Sequence, residues 1–125
     1  MTDGIPVPQV ILIVEDDPFL KFLTVDAVEE AGFVALEAGS ADEAVAILES
    51  RLDIALVLTD INMPGSMDGL KLAHAVRNRW PPIKIIVVSG RMRPSDVDLP
   101  MQCRFFAKPY SSDAIISEIR SLISR

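Results

Sequence analysis

Short aliphatic runs alternate with amphipathic stretches along this chain. Val10 to Val14 is apolar throughout, rich in β-branched side chains, and bounded by Glu15, Asp16 and Asp17. Such a run is too short for a helix and fits a strand buried on both faces. Pro18 behind Asp17 suits a first helical position with an acidic N-cap, and Leu20, Leu23, Ala27 and Ala31 recur at near-helical spacing until Gly32. The alternation then repeats. Phe33 to Ala38 reads as a second strand, and Ser40-Ala41-Asp42-Glu43 is a capping box opening a helix to about Ser50. Ile54 to Thr59 is a third strand ending at Asp60, followed by a Pro and Gly loop and a helix from about Asp68 to Arg79 that Pro81 and Pro82 close. Ile83 to Val88 runs into Ser89 and Gly90 as a fourth strand, and Cys103 to Ala107 makes a fifth that ends at Lys108-Pro109. From Ser111 a last helix sets Ile115, Ile116, Ile119, Leu122 and Ile123 on one side. Between the fourth and fifth strands, RMRPSDVDLP carries two prolines, so the fourth helix is predicted to be short or irregular.

Five βα units joined by short loops imply parallel strands with right-handed crossovers, hence an open α/β sheet, doubly wound, with helices on both faces. A chain of 125 residues, 50% of them apolar, supplies one hydrophobic core and not two. The predicted organisation is an exposed leader over residues 1–9 and one domain over 10–125.

Charge narrows the partners. Twelve basic against eighteen acidic residues give a net charge of −6, which repels nucleic acid and anionic lipid. There is no basic and apolar leader of the secretory kind and no apolar run near the ~20 residues of a membrane span, so a cytoplasmic location is expected. One cysteine and one histidine exclude an internal disulfide, a cysteine zinc cage and a histidine cluster. Any metal here takes oxygen ligands.

In a sheet of this type, ligands bind beyond the carboxyl ends of the strands. Those ends carry Glu15, Asp16 and Asp17, then Asp60, then Ser89, then Lys108, whereas the second strand ends in Ala38 and Gly39 and contributes nothing obvious. Carboxylates crowded at one mouth repel one another unless a cation offsets them. Oxygen ligands with room for waters and a phosphoryl group suit magnesium, with manganese as an alternative. Taken alone, Glu15-Asp16-Asp17 reads as a solvated loop with a helix cap, and Lys108 as a surface lysine; Asp60 at a second strand end changes that reading.

In order and spacing, ILIVEDDP, LTDINMPGSMDG, IIVVSG and FFAKPY resemble the receiver domains of two-component response regulators, over Val10 to about Ile123. The resemblance implies a flavodoxin-like sheet of strand order 2-1-3-4-5. It implies that Asp60 accepts a phosphoryl group as an acyl phosphate, from a histidine kinase or a histidine phosphotransfer protein. Magnesium would be held by Asp16, by Glu15 through water, by Asp60 and by the backbone carbonyl of Asn62. Lys108 and Ser89 would contact the phosphoryl group, a cis peptide would join Lys108 to Pro109, and Ser89 and Phe105 would form the switch. Output would pass to a downstream protein, or to a second copy, through the face from the fourth strand to the last helix. The resemblance thus implies a signalling switch that catalyses only its own phosphoryl transfer and dephosphorylation. With the receiver taking up these residues, the expectation is a stand-alone regulator, a phosphorelay intermediate, or a receiver cut from a larger protein.

Four positions depart from the commonest pattern. Glu15 stands for aspartate, Ser66 lengthens the loop before the third helix, and Phe105 replaces a tyrosine and lacks its hydroxyl. The stretch from Ser89 to Lys108 is short and holds Pro94 and Pro100. Two other functions compete. An aspartate-nucleophile phosphohydrolase uses a similar α/β edge, but it carries a second aspartate where Asn62 stands, and a cap domain is absent from these residues. A phosphorylation-independent receiver-like interaction module would not need a competent residue at every key position. Elsewhere, His74 reads as a surface or packing residue, Trp80 as a cap on the third helix and Cys103 as an inert apolar residue. Met63 and Met67 read as loop packing. Arg91 reads as a solvated residue close to the pocket mouth, where it would bear on the lifetime of a phosphoryl group.

Overall fold

The computed structural model describes residues 7–63, 68–91, 93, 95 and 98–124. The chain runs β1 (Val10–Val14), α1 (Pro18–Glu30), β2 (Val34–Ala38), α2 (Ala41–Ser50), β3 (Ile54–Asp60), α3 (Gly69–Arg79), β4 (Lys84–Ser89), β5 (Cys103–Ala107) and α4 (Ser112–Ile123). All strand pairs are parallel and the sheet order is β2-β1-β3-β4-β5. The doubly wound sheet and its order are therefore as the sequence implies.

Alternation within the strands divides the core in two. Leu12, Val14, Val57, Ile85 and Val87 face α2 and α3, where Leu48, Leu72 and Val76 meet them. Ile11, Ile13, Leu58, Ile86 and Val88 face the other way, against Val28 of α1 and Ile115 and Ile119 of α4. Successive side chains of a strand point to opposite faces, so a sheet covered twice needs strands that are apolar at every position. β1 and the end of β3 are buried throughout.

The helix starts follow local chemistry. The Asp17 carboxylate accepts hydrogen bonds from the amides of Phe19 and Leu20, and Pro18 occupies the first turn. Ser40 accepts from the Glu43 amide while Glu43 reaches back to the Gly39 amide, closing the predicted capping box. α1 ends where Gly32 adopts φ of 96°, a left-handed conformation that glycine takes without steric cost.

The fourth βα unit differs from the others. Among the described residues there are four α-helices, and no α-helix lies between β4 and β5, where Ser95 is in a 3-10 conformation. Prolines remove amide donors and clash with the preceding turn, which disfavours a helix over 91–100. Side chains of α3 donate to carbonyls before β4 and after it. Arg77 donates from Nε to the carbonyl of Met101 at 2.8 Å, and from Nη1 to those of Pro81 at 2.8 Å and Ile83 at 3.1 Å. His74 donates from Nε2 to the carbonyl of Asp98 at 2.6 Å. Trp80 caps α3, packs on the core, and lies under the Arg79 guanidinium. Of the predicted leader, Val7, Pro8 and Gln9 are exposed and residues 1–6 lie outside the described residues. The expectations for Ser66, Met67 and Pro94 also lie outside them, whereas Met63 is buried in the core.

Gly69 opens α3 directly against the end of β3. A Cβ there would be driven into the carbonyl of Asp60 and the backbone of Ile61, neither of which is a flexible side-chain end. Gly69→Ala is expected to destabilise the fold by about 3 kcal/mol or more, read as a lower urea midpoint at unchanged slope. A loss below about 1 kcal/mol would mean that the helix start shifts freely.

Candidate functional site

Parallel register delivers four strand ends to one edge. Glu15 and Asp16 follow β1, Asp60 closes β3 with Asn62 just beyond, Ser89 closes β4, and Lys108 follows β5. The Glu15 amide continues the ladder to the carbonyl of Ala38, the Ile61 amide to that of Val88, and the Lys108 amide to that of Ser89. The site residues thus sit on extensions of the sheet.

Two of the acids are buried like core residues: Glu15 is 5% and Asp60 6% exposed. Lys108 answers both, its Nζ donating to Glu15 Oε1 at 3.0 Å and to Asp60 Oδ2 at 2.6 Å. The remaining oxygens are also used. Asp60 Oδ1 accepts the Asn62 amide at 3.0 Å, and Glu15 Oε2 accepts the Asp17 amide at 3.1 Å. Ser89 donates from Oγ to Asn62 Oδ1 at 3.0 Å, and that Oγ accepts the Arg91 amide at 3.1 Å. Asp16 is exposed. An open pocket of about 380 Å³ joins Glu15, Asp16, Asp60, Asn62 and Lys108, with Arg91 at its wall.

Burial pushes the Glu15 carboxyl above its ordinary range; the Asp17 amide and Lys108 pull it back, and the charge of Asp60 adds to the upward push. Burial alone would lower Lys108, but its hydrogen bonds to Asp60 and Glu15, together with their charges, raise it.

One ligand oxygen each from Glu15, Asp16 and Asp60 lies within 4.8 Å of the others. Three carboxylates against one ammonium leave two negative charges at this edge. An oxygen-only donor set with that excess fits a divalent cation such as magnesium. The Lys108–Pro109 peptide is cis. Phe105 is half-buried on β5 against the core on the α2 and α3 side. β2 supplies no side chain here.

Residues 11–120 match the model of the response regulator receiver domain. The chain belongs to the response regulator receiver domain family. It is 34% identical to the transcriptional regulatory protein AruR of Pseudomonas aeruginosa, over 95% of this chain and 50% of AruR, so it spans about half the length of that relative. It is 31% identical to the response regulator receiver protein CpdR of Brucella abortus, over 90% of this chain and 95% of CpdR. Among solved structures it resembles the response regulator TrrA of Thermotoga maritima in complex with Mg²⁺–BeF, with TM-score 0.80 and 27% identity over 91% of this chain and 98% of that one. The acidic edge is thus the carboxyl-end edge of a receiver-domain sheet.

Three features of this receiver were not drawn from its sequence. The Asp17 amide orders Glu15, the Asn62 side chain takes the Ser89 hydroxyl, and Gly69 lets α3 approach Asp60. Only the last had a signal, a glycine at a predicted helix start. Cys103 is free, and burial raises its thiol to about 11, so it stays protonated and unreactive near neutrality.

Because the folded state raises Lys108, its stabilising contribution is complete below its ordinary value of 10.5 and is lost as pH climbs through the folded value. Lys108→Met is expected to unfold more easily than the native protein at pH 8, and the gap between them should narrow above pH 10.5. Denaturant midpoints across pH 8 to about 12 measure this. A constant gap would show that the ion pairs contribute nothing to folding.

Proposed function

We propose that residues 10–125 form one phosphoacceptor receiver domain in which Asp60 takes a phosphoryl group from a phosphohistidine of a histidine kinase or phosphotransfer protein. The observation that carries this reading is the Lys108 ammonium bridging Glu15 and Asp60, with Asp16 beside them, in a chain of the receiver family. A carboxylate oxygen of Asp60 attacks phosphorus, the donor's bond to phosphorus breaks, and the leaving group departs with the electron pair. The product is an acyl phosphate on Asp60.

Asp16, Asp60 and the carbonyl of Asn62 would hold magnesium, with Glu15 acting through a water. When bound, the ion supplies positive charge to the transferring phosphoryl oxygens. Lys108, which contacts Asp60 Oδ2, would exchange that carboxylate contact for a phosphoryl oxygen. Its charge is already in place, so it requires little reorganisation. Ser89 releases Asn62 and turns its hydroxyl to the same group. The space it leaves admits the ring of Phe105, which re-forms the face from β4 through the connector to α4. A downstream protein or a second copy reads that face, in the cytoplasm. TrrA, whose structure holds Mg²⁺–BeF, supports a phosphoryl-like ligand as the probe.

Acetyl phosphate with magnesium should add one phosphoryl group to the native protein by intact mass, while Asp60→Asn should be labelled more than about 100-fold more slowly. Equal labelling of the variant rejects Asp60, and continuous release of phosphate from many esters would mark a phosphohydrolase. No adduct and no turnover would leave an interaction module. Magnesium at ten times its Kd should add about 1.4 kcal/mol of stability, and Asp16→Ala should lose most of that gain.

Beryllofluoride with magnesium should move amide signals from Asp60 through Ser89 to Phe105 and the connector. Shifts confined to the loops at Asp16, Asp60 and Lys108 would exclude the Ser89 to Phe105 switch. A phosphoryl group shifts the two states only by its different interaction with each.

A further inference from the structure

Lys108 stands at the end of β5, an edge strand that pairs only with β4. The loop that follows is exposed at Pro109 and Ser111, yet the ammonium must be held between two acids on β1 and β3. Something must fix this loop against the β1 side of the molecule. Tyr110, two residues after Lys108, reaches across to α1, where its hydroxyl lies 3.0 Å from Thr24 Oγ1. Thr24 is buried, at 8% exposure, on the helix whose N-cap, Asp17, also orders Glu15. The Thr24 to Tyr110 bond and the Lys108 to Glu15 pair therefore join the same two parts of the chain, side by side. A small cavity behind the two acids is closed by Thr24 and Tyr110. The Tyr110 ring packs at the border of the core beneath α1 and α4.

We infer that Thr24 and Tyr110 are positioning residues for Lys108, their hydroxyl pair fixing the β5–α4 loop to α1 so that the ammonium stays between Glu15 and Asp60. Neither hydroxyl touches the reacting atoms. The pair acts through the loop, and a misplaced charge at a transferring phosphoryl group costs rate more than ground-state binding. The kinetic consequence rests on Asp60 being the phosphoacceptor; the placement of Lys108 does not.

The test uses Tyr110→Phe, Thr24→Val, their combination, and Thr24→Ser, which keeps the hydroxyl. The first readout needs no phosphorylation: the ¹H–¹⁵N signal of the Lys108 ammonium, assigned with Lys108→Met and separated from Lys21, Lys71 and Lys84. Tyr110→Phe and Thr24→Val should each broaden this signal or speed its exchange with water, and Thr24→Ser should preserve it. In the second readout, acetyl phosphate labelling at saturating donor should fall about three- to tenfold in either single variant, with the magnesium Kd unchanged. The double variant should fall no further than the singles, because both remove one interaction. An unchanged ammonium signal overturns the inference. So does Thr24→Ser as impaired as Thr24→Val, which would mean packing alone, or losses that simply add in the double variant. If the ammonium signal responds as expected but native Asp60 takes no label, the positioning role stands and the phosphoacceptor reading falls.

Discussion

Like charge gathered at one edge of a parallel sheet is the constraint around which this protein is built. Parallel strands bring all their carboxyl ends to one side, and this chain places acids at two adjacent ends, β1 and β3. Neither Glu15 nor Asp60 can retreat into water, since both are buried almost as deeply as the aliphatic residues behind them. Burying two such charges side by side is unfavourable unless a cation and hydrogen-bond donors reach them. Lys108 and the amides of Asp17 and Asn62 fill those roles. The edge still carries more negative than positive charge, and that excess lets it take up a divalent cation. Stability and ligand binding draw on the same imbalance.

The hydrogen bonds around Ser89 add a second layer. Its hydroxyl is engaged with Asn62, one strand away from the acids, and its oxygen takes the Arg91 amide. The pocket and the connector after β4 therefore share one side chain. α3 reaches the described part of that connector through His74, which donates to the Asp98 carbonyl, and through Arg77, which donates to that of Met101.

Much of the fold was legible because its strands are aliphatic throughout and its helix caps are explicit. Val10 to Val14 suited a doubly covered strand, and Asp17-Pro18 and Ser40 to Glu43 fitted helix starts. The acids and the lysine were legible as strand-end residues once parallel order was inferred. Relations between side chains far apart in the chain were not. The 86-residue separation of Thr24 and Tyr110 leaves no local pattern, since a buried threonine in a helix and a tyrosine after a proline are each ordinary. The resemblance marked the Asn62 backbone carbonyl as a metal ligand, whereas its side-chain oxygen accepts from Ser89, a relation the sequence does not display. The segment after β4 was half legible: two prolines signalled irregularity, but nothing in the sequence announced that Arg77 would bond the carbonyl of Met101.

The order of synthesis gives the lysine a further meaning. Glu15 and Asp60 leave the ribosome well before Lys108, which follows the last strand to be made. Until β5 docks, Glu15 and Asp60 lack the ammonium that pairs with both of them in the folded domain. Arrival of the edge strand adds its hydrogen-bond ladder and the ammonium in one event. The ion pair therefore spans nearly the whole domain, 93 residues from end to end, and ties completion of the site to completion of the fold.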